Sequence, residues 1–242
     1  MRDYNKEYQD STGRRYAYDF DWVVRKYLLH AWRPFFRLAD SALELGSFQG
    51  DMTRQILEIF PDLTVIEASS DLCSAIEERF PGKLRVINAT FEVAMPPERY
   101  ANVFIVHTLE HLDEPVQVLS RVKQWLKPGG RLFVAVPNAN ALSRQIAVKM
   151  GLIGFNAAVT EAEREHGHRR TYTLDSLHHD LRQAGLSVTH SGGALVKALA
   201  NFQFDKALAA GIVDDAYLDG CFELGKLNPD ICASIYAVCE AK

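Results

Sequence analysis

The sequence predicts an α/β domain in which a mostly parallel sheet of seven strands is covered by crossover helices. Three observations carry that expectation. From Ser41 onward, short apolar runs alternate with amphipathic stretches, the order that a parallel sheet and its crossovers require. The first run, ALEL, passes directly into a turn bearing Gly46 and Gly50 and then into helix-periodic sequence, as a strand-to-helix junction does. A chain of 242 residues, 48% hydrophobic, suffices for one such core and leaves little room for two.

The first forty residues are rich in Tyr, Trp and Phe beside charges and read as an N-terminal helical cap, residues 1–40, ahead of a domain at 41–242. Within the cap, 21–32 places Trp22, Val23, Tyr27, Leu28 and Ala31 near one stripe, and Pro34 ends the helix. Strands are expected at 42–45, 63–67, 84–88, 103–107, 131–136, 186–190 and 231–239, with helices at 52–60, 72–80 and 116–125. Asp51 and Asp71 stand where an N-cap carboxylate accepts from the free amides of the first turn. LKPGG at 126–130 reads as a helix stop and a turn before the fifth strand. Beyond Pro137, 140–150 reads as a helix, 151–167 as a loop within a lid at 150–173, and 174–184 as an amphipathic helix ending at Gly185. The interval before the last strand far exceeds a hairpin loop and holds helical stretches at 204–210 and 217–227, an inserted cap at 200–228.

Lys and Arg number 27 against 31 Asp and Glu, a net charge of -4, so no field favours a polyanion and nucleic acid is not expected as a partner. Cys73, Cys221, Cys232 and Cys239 are widely spaced and read as reduced thiols. There is neither a signal-like apolar run at the amino terminus nor a stretch long enough to span a membrane, and a cytoplasmic location is expected. Arg14, Arg15, Arg25, Lys26 and Arg33 are interleaved with acids and read as a solvated face.

ALELGSFQGDM places Glu44, Gly46, Ser47 and Gly50 where a strand gives way to a helix. There a glycine lets a ligand approach the backbone and the helix dipole favours a carboxylate or phosphate. Glu67 closes the second predicted strand, 21 residues beyond Gly46, the spacing at which an acid meets the two hydroxyls of a nucleotide ribose. The interval is GxxxG, with Phe48 where dinucleotide enzymes carry their second glycine, which argues against a pyrophosphate ligand.

ELGSFQG, Glu67, the segment VHTLEHLDEP and LKPGGRLFVAVPN, in that order, together resemble the class I S-adenosylmethionine-dependent methyltransferases, over roughly residues 42–191. The resemblance implies a Rossmann-like seven-stranded sheet and S-adenosyl-L-methionine as cofactor. It assigns Glu44, Gly46, Ser47 and Gly50 to the methionine end, Glu67 with Ala68 to the ribose, and Asn88, Ala89, Thr90 and Phe91 to the adenine. Asn88 stands where relatives often have Asp. The same likeness lays VHTLEHLDEP under the cofactor's sulfur, making His107, Glu110 and His111 candidates for base or positioning work, with His107 beside the cofactor as well. A histidine of ordinary pKa suits such a proton.

HTLEH also matches a reversed metalloprotease pattern, which needs a continuous helix; here the first histidine closes a strand. Some quinone-type O-methyltransferases that the chain resembles hold a divalent ion through ExxEH at this place; His107 replaces the first acid, and no metal is expected. EHGHRRTYTLDSL resembles the HxRxYT signature of small-molecule methyltransferases through His168, Arg170 and Tyr172. Two readings stay open: a lid that brings His168 to the acceptor, with Arg169 or Arg170 forked onto a carboxylate or phosphate, and a charged loop whose Tyr172 packs on the sheet edge. Tyr8, Tyr16 and Tyr18 either close over the cofactor or join the core. Tyr217, Phe222 and Leu224 either wall the acceptor pocket or bury a contact in an oligomer.

The expected activity is methyl transfer from S-adenosylmethionine to an O or N of a small metabolite or saccharide-like acceptor, with His107, His111 and His168 as the catalytic candidates. The competing readings are a non-catalytic cofactor-binding accessory protein and an NAD-dependent oxidoreductase.

Overall fold

The computed structural model describes residues 3–12 and 18–242; Arg14, Arg15 and Tyr16 lie outside them. Seven strands, β1 (Ala42–Leu45), β2 (Leu63–Glu67), β3 (Arg85–Asn88), β4 (Tyr100–Val106), β5 (Leu126–Pro137), β6 (Leu186–Val196) and β7 (Cys232–Ala241), form one sheet in the order β3-β2-β1-β4-β5-β7-β6. β1 to β5 pair in parallel, and β7 lies antiparallel between β5 and β6. The helices are α1 (Tyr4–Thr12), α2 (Asp19–Trp32), α3 (Asp51–Leu57), α4 (Ser70–Arg79), α5 (Pro115–Val122), α6 (Leu142–Lys149), α7 (Glu161–Glu165), α8 (Leu174–Gln183), α9 (Asn201–Ala209) and α10 (Asp215–Leu227). The seven-stranded α/β fold read from the sequence is the fold observed.

Buried side chains form two cores, one on each face of the sheet. On one face Trp32 of α2, fully buried, meets Phe133 at 5.5 Å and Tyr236 at 6.0 Å, while Phe104 and Phe133 stack at 4.9 Å. Phe204 of α9 stacks on Phe20 at 4.3 Å, and Phe222 of α10 lies 5.0 Å from Tyr27. α2, α9 and α10 thus cover one face together, and the change in composition near residue 40 marks texture more than packing.

Three local expectations are corrected. LKPGG does not precede β5 but forms a bulge inside it. Tyr100 pairs with Leu126 and Asn102 with Arg131, the intervening residues loop out through Gly129 at φ +70°, and a Cβ on Gly130 would stand 2.8 Å from the Tyr100 carbonyl. Neither Asp51 nor Asp71 caps its helix. Gly50, at φ +84°, enters α3, and Ser69 caps α4 by accepting from the Leu72 amide at 3.3 Å, because both helices begin earlier than their apolar periodicity. Asp51 instead pairs with Arg79 at 2.5 Å, and Asp71 accepts from Gln9 at 2.9 Å. β6 runs six residues past its expected end at 190, through Gly192 and Gly193, which admit the side chains of Tyr236 and Cys232 where an added Cβ would stand 2.6 Å away. All four cysteines are free, and among the described residues no helix is long and apolar enough to cross a membrane.

Candidate functional site

The strand order reverses between β1 and β4, which opens a crevice beyond their carboxyl ends. Three turns leave the sheet there, after β1, β2 and β4.

Gly46 leaves β1 at φ +79°, a conformation that side chains with a Cβ rarely adopt, and a Cβ there would stand 2.7 Å from Thr108 Oγ1. Gly50 is needed for packing, since its Cβ would meet Ile76 at 2.5 Å. Glu67 ends β2 with its carboxylate between two turns. Oε2 accepts from the amides of Ser47 at 3.1 Å and Phe48 at 3.4 Å, and Oε1 from those of Ala68 at 2.8 Å and Ser69 at 3.1 Å. Burial raises its pKa while these amides pull it down. Asn88 braces this end of β2, its Nδ2 donating to the carbonyls of Glu67 at 3.0 Å and Ala68 at 3.2 Å, and the Ala89 amide donates to the Glu67 carbonyl at 3.1 Å. Arg121 of α5 holds the next turn through the carbonyls of Phe91 and Ala94.

β4 ends at Val106, and His107 leaves it in the left-handed region at φ +49° with its Nε2 2.8 Å from Ser234 Oγ of β7. Burial, reinforced by Arg25, His168 and His111, pushes the His107 pKa well below its usual value, so the ring is neutral. His111 and His168 meet edge to face at 4.6 Å. Burial lowers the His168 pKa as well. Glu110 is 1% exposed, neither carboxylate oxygen has a hydrogen-bond partner, and burial pushes its pKa up to about 8. One ligand atom each from Glu110, His111 and His168 lies within 4.8 Å of the others, a spacing that suits a divalent cation.

These turns enclose a cavity of about 360 Å³, within the small-molecule range of roughly 300–1,000 Å³. Of the residues singled out in the sequence, Gly46, Ser47, Glu67, Ala68, Thr90, Phe91, His107 and His111 line it. Glu44, Gly50, Asn88, Ala89 and His168 are not among its lining residues. Tyr4, Glu7 and Tyr8 of α1 close one side, with Tyr8 edge-on to Phe48 at 6.2 Å, while Asn5 accepts from Ser69 Oγ at 2.8 Å and so ties α1 to the α4 cap. The lid segment contributes Arg164, Glu165, His166, Gly167 and Arg169, and contains a short helix, α7, that the loop reading omitted. Its Thr160 and Glu163 cap one another, a local signal present in the sequence.

Other candidates fall elsewhere. Arg170 Nη2 donates to the carbonyls of Leu112 at 3.0 Å and Asp113 at 2.7 Å, and Tyr172 is buried with its hydroxyl on Asp180 at 3.0 Å. Both are structural, since each already satisfies neighbouring groups of the fold. Arg169 donates its amide to the Glu110 carbonyl and pairs with Asp113 at 3.3 Å. Tyr18 faces Phe202 at 6.4 Å. Tyr217, Phe222 and Leu224 do not wall the cavity, because α10 packs on α2 and β6.

Arg25 overturns the solvated-face reading: it lines the cavity, and its charge acts on Glu44, His107 and Glu110. The signal was available, since helical spacing sets Arg25 on the stripe of the buried Leu28, Leu29 and Trp32.

Glu44 is 2% exposed in mid-strand, and burial pushes its pKa from 4.5 up to about 8. The native state therefore holds a proton that the unfolded chain releases. This contribution to stability is full below about pH 4.5 and is lost as the pH rises through about 8. Glu44→Gln is expected to remove roughly 2 kcal/mol of the stability lost between about pH 6.5 and 8.5. Urea unfolding of both proteins at the two pH values checks this, and parallel pH dependences would refute it.

A methyltransferase domain family model matches residues 17–191. The chain is 27% identical over 128 residues to the ubiquinone biosynthesis O-methyltransferase of Aeromonas salmonicida, covering 52% of each chain. It is 34% identical over 99 residues to the trans-aconitate 2-methyltransferase of Sinorhizobium medicae, covering 40% of this chain and 38% of that one. The matched segments thus span about half or less of these curated relatives. A solved structure from Thermotoga maritima, described as a possible histamine N-methyltransferase, aligns over 98% of this chain and 100% of its own with a TM-score of 0.63 at 15% identity, a likeness of fold.

Proposed function

This chain belongs to the methyltransferase domain family, and from that premise we propose that its cavity binds S-adenosyl-L-methionine and passes the methyl group to an O or N of a small metabolite or saccharide-like acceptor. The observation that carries this reading is the joining of the turn after β1 to the carboxylate ending β2, with Glu67 bonded to the Ser47 and Phe48 amides on the cavity wall.

The residues present fit the cofactor. Gly46 and Ser47 border the methionine end, Glu67 and Ala68 the ribose, and Thr90 and Phe91 the adenine, all of them lining the cavity. Asn88 and Ala89 act through Glu67, which they brace, and Glu44 and Gly50 shape the turn from behind. When bound, the cofactor supplies an activated methyl on a sulfonium, so the protein's part is to align the acceptor and take its proton. His107 has the fixed ring for alignment, held by Ser234, and is neutral. His111 lines the cavity with the His168 ring packed edge to face against it, and its imidazole takes the acceptor's proton.

Calorimetric titration with S-adenosylhomocysteine and with NAD tests the reading: the adenosyl amino acid binds and NAD does not. The reverse result overturns it in favour of an oxidoreductase. Turnover over a panel of hydroxyl and amine acceptors then separates an enzyme from a binding protein. His111→Ala is expected to lower turnover about a hundredfold with cofactor affinity little changed; equal losses in both would assign His111 to structure.

A further inference from the structure

We propose that α10 is the seam of a symmetric dimer, in which a second copy of this chain lays its own α10 antiparallel across the first. α10 lies outside the cavity lining, so this interface stands apart from the cofactor reading.

α10 carries two apolar stripes on opposite faces. Leu218, Phe222 and Gly225, spaced four and three residues apart, are buried against the body of the protein. Tyr217, Leu224 and Leu227 are exposed by 52%, 47% and 80%. With Gly220 among them they recur at intervals of three, four and three residues, which sets all four on the face turned away from the core. Such spacing is the a/d seam of a coiled coil. The three side chains make an apolar patch on the order of 350 Å², within the range of about 300–600 Å² at which a monomer's largest patch often serves a contact. Two such patches with their polar margins reach about 1,000 Å², the area a specific interface requires.

What fits this seam is a copy of itself. Its spacing is palindromic about residue 222, so a two-fold axis through that point sets Tyr217 against the partner subunit's Leu227 and Gly220 against the partner subunit's Leu224. Size matches size at the second pair. A Cβ added to Gly220 would meet nothing within 4 Å, so the glycine leaves an open notch for an incoming leucine. Charge selects the direction. Asp214, Asp215 and Asp219 crowd the first half of the helix, with Asp219 held by the Tyr27 hydroxyl at 2.6 Å, while Lys226 stands near the other end, 2.5 Å from Glu223. The antiparallel register that pairs 217 with 227 brings Lys226 beside the partner subunit's Asp219. A parallel register sets each aspartate against its own copy, which repels.

Sedimentation equilibrium of the full chain from about 1 to 100 μM tests the proposal, because mass action makes the dimer fraction rise across that range. Wild type is expected to be dimeric at the upper end. Leu224→Glu is expected to weaken the dimer at least about a hundredfold, since a carboxylate then enters the seam. Gly220→Leu fills the notch that the partner subunit's Leu224 needs and is expected to weaken the dimer at least about tenfold. Within one copy the same change replaces a helix-breaking residue at an unobstructed position, so its circular dichroism is expected to show at least wild-type helix. A wild type that stays monomeric at the highest concentration overturns the proposal and leaves this face to a different partner. A wild-type dimer whose dissociation constant neither variant changes overturns it as well, because the contact then lies on another face.

Discussion

Glu67→Ala is expected to weaken the adenosyl ligand roughly a thousandfold, about 4 kcal/mol, and to lower the stability of the protein itself. The carboxylate does more than face a ribose. Four backbone amides, from Ser47, Phe48, Ala68 and Ser69, converge on it. Alanine leaves those donors unmet in a place where the residue is 8% exposed. A buried unmet donor costs about 1–3 kcal/mol, and water from the cavity relieves some of the four, so a stability loss of about 3–5 kcal/mol is expected. The turn after β1 then loses its tie to β2, and the backbone that borders the methionine end loses its shape. Denaturant unfolding and calorimetry with S-adenosylhomocysteine measure the two losses separately. A variant with wild-type stability would refute the clasp, and one with wild-type affinity would remove Glu67 from the ligand site.

Gly46→Val is expected to bring binding below detection, a loss of at least about a thousandfold, with the sheet still formed. Two penalties act together. A β-branched residue at φ +79° is strained, at about 1–3 kcal/mol. Its Cβ also falls 2.7 Å from Thr108 Oγ1, which cannot retreat easily because it donates within reach of the Leu45 and Val106 carbonyls, both at 3.2 Å. The turn must move, and Ser47 and Phe48 move with it. Circular dichroism establishes the fold and calorimetry the binding; normal affinity would separate this turn from the ligand. Thr108→Ser in the same background removes the methyl group but not the backbone strain, and is expected to recover little.

Where one residue type carried both a local and a distant meaning, the sequence was readable. ALEL followed by Gly46 announced a strand and a positive-φ exit at once, and Glu67 followed from the end of the next apolar run. The sheet was legible for the same reason, since buried parallel strands are continuous apolar runs. Arg25 was misread because charge interleaving suggested solvent, while the helical stripe it shares with Leu28 and Trp32 said otherwise. The end of β6 was not legible, because it runs on through Gly192 and Gly193, where space is filled by Tyr236, 44 residues beyond Gly192, and by Cys232. The His111–His168 contact joins β4's exit to the lid and has no local signature at all.

β7 carries Ser234, the residue that holds the His107 ring, and it enters the sheet between β5 and β6. A nascent chain can therefore complete the β1 and β2 turns long before residue 232 leaves the ribosome, while the imidazole at the exit of β4 waits for a hydroxyl made near the end of translation. The first two turns of the cavity are thus made early in the chain, and the ring at the exit of β4 is fixed only when the last strand enters the sheet.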